Sequence, residues 1–177
     1  MKAKQNIPAL TLVALLFCSS SVCGADGFDS IRCGSDIANR LLGRKLSNEK
    51  TMILEERHKD LGLKDLGGQE VSDRLSLISW LICGDEYILL ENKDVVRDVL
   101  KFPKHSKETP EFMGSCQLNG QELPGTAIGV LKNEPGVQML SAVAAWKIDD
   151  KAMKFVELKT DGLRCSRDGI ITADGGL

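Results

Sequence analysis

The sequence predicts an α+β fold made mainly of antiparallel β-sheet, with a short N-terminal helix and two stabilising disulfides. Three observations predict it. Between 72 and 102, the runs Leu75-Ser-Leu-Ile-Ser-Trp-Leu-Ile-Cys83, Tyr87-Ile-Leu-Leu90 and Val95-Val-Arg-Asp-Val-Leu-Lys-Phe102 alternate with turn chemistry. Such runs read as strands, and the first is apolar enough to be covered on both faces. Four cysteines are spread along the body of the chain, and the clearest helical spacing is a single stretch near the start. Over 95–102 a helix capped by Asp94, with Val95, Val96, Val99 and Leu100 at helical spacing, competes with the strand, which three valines and the flanking turn favour. The strands form either one sheet or two hairpin-built lobes joined near 104–113.

The first residues set the compartment. Lys2 and Lys4 precede an apolar run over 9–17 and a small, polar stretch ending in Cys23-Gly24-Ala25. This is the order of a secretory signal peptide over 1–25, cleaved after Gly24 or Ala25. About nine apolar residues are too few for a membrane span, which needs roughly 20. A lipid-modified cysteine fits less well, because bulky Phe17 precedes Cys18 and Val22 precedes Cys23. The expected product is a single secreted or periplasmic domain over 26–177, with no transmembrane segment of its own. Losing two lysines leaves 21 basic against 25 acidic residues, a net charge of −4. Without a basic patch, nucleic acid is not an expected partner.

Two of the six cysteines fall in the leader, leaving Cys33, Cys83, Cys116 and Cys165. An even number in an exported chain predicts two disulfides. Sequential pairing, Cys33 with Cys83 and Cys116 with Cys165, is favoured because it closes two loops of similar length. Zinc is the competing use of cysteine, and the chain has no Cys-x-x-Cys or His-x-x-x-His spacing to support it. No metal and no cofactor is expected.

In chain order, Ser35-Asp-Ile-Ala-Asn-Arg-Leu-Leu-Gly43 predicts the helix, with Ser35 as cap, Ile37, Leu41 and Leu42 on one face, and Gly43 as stop. The stretch 51–57 reads as a strand. The stretch 58–68 reads as a loop of two successive turns, because Lys59-Asp-Leu-Gly62 recurs as Lys64-Asp-Leu-Gly67. After the strands of 72–102, the polar, proline-bearing segment 104–113 is the best linker. Asn119-Gly120 signals a two-residue hairpin turn within 116–123. Strands follow over 126–131, 142–148 and 154–158, with turns at Asp161-Gly162 and Asp168-Gly169 and a tail over 174–177. One internal likeness stands out. The stretch 80–93 aligns without gaps to 146–159, matching Trp80 to Trp146, which reads as either a duplication or two look-alike amphipathic hairpins.

Several groups could carry chemistry. His58 lies in Glu55-Glu-Arg-His-Lys-Asp60 and could act as a general base oriented by Asp60 or Glu56. No nucleophile motif accompanies it, so a solvated, self-satisfied charge run is the plainer account. His105, flanked by Lys104 and Lys107, reads as an exposed basic loop whose lysines disfavour its proton and could steer an acidic partner. Asp60, Asp65, Glu70 and Asp73 lack the alternation of a calcium loop. Trp80 and Trp146 sit in apolar strands and read as core. The function that fits is a non-catalytic exported binding module. It would present His58, Lys59, Asp60, Lys64 and Asp65 on one loop and Lys104, His105 and Lys107 on another, to a protein or envelope component, as an inhibitor of a secreted enzyme would. The alternatives are a small secreted hydrolase using His58, and a structural envelope protein.

Overall fold

The structure, a computed structural model, describes residues 26–46 and 49–171. The leader read at 1–25 and the tail read at 174–177 lie outside them. The described chain is mostly antiparallel β-sheet with short helical segments and two disulfides.

Sheet A is a four-stranded meander in which β1 (Lys64–Ser72), β2 (Leu75–Ile82), β3 (Asp85–Asn92) and β4 (Val95–Lys101) lie in chain order. Its β2–β3 turn is Cys83-Gly84, at φ 55° and 82°, and its β3–β4 turn is Lys93-Asp94, at φ 52° and 62°. Two left-handed residues in succession match the twist of the flanking strands, so each hairpin closes in two residues. Alternation then sorts the side chains. Trp80, Ile82, Tyr87, Leu89 and Val96 face one core cluster, and Leu75, Leu77, Ile88 and Leu90 face another. Both inner strands are thus covered on two sides, which is why they read as nearly unbroken apolar runs.

A helical layer covers the first face. It comprises a 3-10 turn at Gly27–Ser30, α1 (Ile37–Leu41), α2 (Thr51–Arg57) and a second 3-10 turn at Lys59–Leu61. Phe28, Ile31, Ile37, Leu41, Leu54 and Leu61 sink into the cluster with Trp80 and Tyr87. Asp36, rather than Ser35, caps α1. Its Oδ1 accepts from the Asn39 amide at 3.2 Å, while Ser35 Oγ donates to the Arg32 carbonyl. The Cys33–Cys83 disulfide ties this layer to the β2–β3 turn. Closing a loop of that length removes unfolded-state freedom worth about 4 kcal/mol in the chain-entropy account.

Two expectations fail here. The strand expected over 51–57 is helix α2. Three apolar residues in a row, Met52-Ile53-Leu54, carry no period, and only Leu54 is buried while Met52 is 79% exposed. The Met, Leu, Glu and Arg content favours helix, and packing of Leu54 decides it. The double turn expected over 58–68 is also wrong in its second half. The first copy of the repeat does turn, ending at Gly62 with φ 58°. The second copy opens β1 through a bulge: Asp65 pairs with Trp80 and Gly67 with Ser79, leaving Leu66 out of register. A second irregularity falls between Glu70 and Ser72, and β1 forms the edge of the sheet.

The second sheet, B, is larger and curls. Its strands are β5 (Glu111–Gly114), β6 (Cys116–Leu118), β7 (Gln121–Glu122), β8 (Ala127–Leu131), β9 (Met139–Asp149), β10 (Lys154–Glu157) and β11 (Leu163–Ser166), ordered β5-β8-β9-β11-β6-β7. The long β9 pairs with β8 along one edge and divides the other between β11, at Met139 to Ser141, and β10, at Trp146 to Asp149. Gly129 lets β8 approach β9 closely, since a Cβ there would stand 2.2 Å from the Ala144 oxygen. Sheet B wraps its own cluster, with Phe112, Leu131, Leu140 and Leu163 around the Cys116–Cys165 disulfide. The outer cluster of sheet A continues into sheet B through Ile128 and Val130, and the Asp98 carboxylate accepts from the Phe155 amide at 2.8 Å. The two sheets therefore share one packed layer.

The Asn119-Gly120 turn closes β6 onto β7, at φ 51° and 81°. The linker read at 104–113 ends inside β5, and β11 has no counterpart in the sequence reading. The likeness between 80–93 and 146–159 does not extend to structure. Trp80 pairs across its hairpin with Tyr87, but Trp146 pairs with Glu157 across a longer loop. With registers this different, the two are look-alikes. Among the described residues, no helix is long and apolar enough to cross a membrane.

Candidate functional site

His58 follows α2 and is buried, with 6% of its surface exposed. Its ring lies 5.8 Å from that of Phe28, and its Nε2 has no hydrogen-bond partner. The acid facing that nitrogen is Asp29, at 3.7 Å, rather than Asp60 or Glu56. Glu56 instead pairs with Lys59 at 2.7 Å, and Asp60 is exposed. Phe28 also stacks edge-on against Trp80, so the imidazole belongs to an aromatic core seam under the first 3-10 turn. Lys59 and Lys64 are exposed. Asp65 is half-buried, with its Oδ1 accepting from the Gly67 amide at 2.8 Å in the bulge of β1.

The second histidine gathers a different set of residues. His105 leaves β4 just after buried Phe102, and its ring packs edge-on against Phe102 at 5.8 Å. Its Nε2 lies 3.0 Å from Glu86 Oε2. Glu86 shares a face of β3 with Ile88 and Leu90, and Glu111 shares a face of β5 with Met113; both strands turn those faces to the layer between the sheets. The three side chains thus meet where that layer opens to solvent. One ligand atom from each of Glu86, His105 and Glu111 lies within 4.8 Å of the others. Burial, and then the neighbouring Glu86 charge, push the Glu111 carboxyl up to about 7, only partly offset by His105.

This corrects the reading of His105 as a ring among lysines. Lys104 and Lys107 are exposed beside it in the chain, but the groups that face its ring are carboxylates. Asp60, Asp65, Glu70 and Asp73 form no such group among the described residues.

The segment carrying His105 is exposed yet fixed. Phe102 and Pro110 bury its ends, the Ser106 amide donates to the Thr109 carbonyl at 3.0 Å, and Asn133 donates to the carbonyls of Lys107 and Glu108. Its base lies at the end of sheet A marked by the β2–β3 turn, where Glu86 stands. The other loop read from the sequence reaches the same end, since the Cys83 amide donates to the Leu61 carbonyl and Lys64 pairs with Leu81. No protein-family model, no curated protein and no solved structure matches the chain.

Proposed function

We propose that the protein is an exported, non-catalytic binding module, working in the periplasm or outside the cell. It recognises either a protein, as an inhibitor of a secreted enzyme would, or an envelope component. The observation that supports this reading is the fixed, exposed segment 103–110. Its polar side chains Lys104, His105 and Lys107 stand on a backbone already held by Ser106, Thr109 and Asn133. A loop ordered before contact loses less freedom on binding, and recognition residues concentrate on loops held by rigid scaffolds. Lys59, Asp60 and Lys64 extend the same charged end of sheet A. The two disulfides are consistent with an oxidising compartment.

The test is capture by the immobilised, disulfide-intact protein from an extracellular extract, beside the double variant Lys104→Ala, Lys107→Ala and the single variant His58→Ala. The expected result is a partner retained by the wild type and by His58→Ala but lost from the lysine variant. Absence of any partner, together with hydrolase turnover that disappears in His58→Ala, would favour the enzyme instead. Retention of the protein itself in a wall or membrane fraction would favour the structural envelope reading.

A further inference from the structure

We propose that Glu86, His105 and Glu111 form a binding site for a divalent transition-metal ion of the zinc class. The geometry is close to what such an ion needs. Zinc–nitrogen and zinc–oxygen bonds of about 2.1 Å place tetrahedral ligand atoms about 3.4 Å apart. His105 Nε2 and Glu86 Oε2 are already 3.0 Å apart, and the Glu111 oxygen completes a triangle with no side longer than 4.8 Å. A shift of the Glu111 oxygen of at most about 1.4 Å would bring it to a tetrahedral edge of that length. The ion would replace the proton that His105 and Glu86 share.

The scaffold suits the task. Two ligands come from strands on facing sheets, and the third comes from a segment whose backbone is pinned by Asn133. Phe102 fixes the plane of the imidazole from one side, and Trp146 in turn packs against Phe102. The donor set selects the class of ion. Imidazole with two carboxylates suits zinc and its first-row neighbours, whereas calcium takes six to eight oxygens and magnesium an octahedron of oxygens. Two carboxylates and a neutral imidazole carry a charge that a dication neutralises. The group facing Glu86 is the His105 ring, and among the described residues no lysine or arginine pairs with Glu111. Three protein ligands leave a fourth position for water.

The site is independent of the partner-binding reading: either can fail while the other stands. The test is titration of the purified, disulfide-intact protein with zinc sulfate by calorimetry, and with cobalt chloride by visible absorption. The same titrations are run on His105→Ala, Glu111→Gln and Lys104→Ala, with near-ultraviolet circular dichroism to establish that each is folded. The expected result is one equivalent of zinc bound by the wild type and by Lys104→Ala. Affinity should fall at least tenfold in His105→Ala and in Glu111→Gln, and the tetrahedral cobalt spectrum should disappear with it. Absence of stoichiometric zinc binding to the wild type, or an affinity unchanged in either ligand variant, overturns the proposal.

Discussion

Replacing Glu91 by glutamine should make the protein more stable at neutral pH, by an amount that depends on pH in a defined way. Glu91 lies near the end of β3, buried, on the face it shares with Tyr87 and Leu89 and opposite Val96. Its Oε1 has no hydrogen-bond partner. Burial, and secondly the charge of Asp94, push its carboxyl from the ordinary 4.5 up to about 7. The folded state therefore holds a proton that the unfolded state has released, throughout the window between those two values. Stability conferred by this group is complete below pH 4.5 and is lost as pH rises to 7. The full difference of about 2.5 pH units corresponds to about 3 kcal/mol. Between pH 5 and pH 8, the stability of Glu91→Gln relative to wild type should rise by about 2.5 kcal/mol. Urea unfolding of both proteins at half-unit intervals measures this, and subtracting one from the other cancels the parallel contribution of Glu111. A difference that stays flat across the range would refute the reasoning, because a Glu91 that ionises normally in the fold cannot produce the slope.

Other predictions concern packing and covalent ties. Gly129→Ala should cost on the order of 3 kcal/mol, the upper end for overpacking, because the added methyl meets the β9 backbone rather than a movable side chain. Urea midpoints would show it, with faster amide hydrogen exchange in β9; an unchanged midpoint would mean the strands separate at little cost. The double variant Cys33→Ser, Cys83→Ser should lose about 4 kcal/mol and release the helical layer first. Protease cleavage confined to 26–61 before global unfolding would show that order of events, and cleavage starting in sheet B would contradict it.

The parts of the fold legible in the sequence are those whose signal is local. Asn119-Gly120 names its own turn, and β2 and β3 stand out because both of their faces are covered. Helix α2 was hidden because Met52, Ile53 and Leu54 are adjacent and two of them face outward, so neither period shows. Strand β1 was hidden because an edge strand with two irregularities and mostly exposed side chains looks like a loop. In β11 a signal existed, since Leu163 and Cys165 are buried and alternate with Arg164 and Ser166, but four residues between two turn motifs left it faint. His105 could be singled out in the sequence, and its partners could not. Glu86 stands on β3, one hairpin turn earlier and brought alongside by β3–β4 pairing, and Glu111 stands on a strand of the other sheet, which only the stacking of sheets brings to it. Motif spacing reports ligands on one element and is blind to a set assembled from three.

The interruptions in β1 have a consequence for how copies of the molecule behave in a crowded solution. An unbroken outer strand is a template on which a second chain can zip up, hydrogen bond by hydrogen bond, toward fibrils. Here Leu66 and the Glu70–Ser72 step each shift the phase of that border, so a visiting strand meets only a short stretch of matching donors and acceptors before it falls out of step.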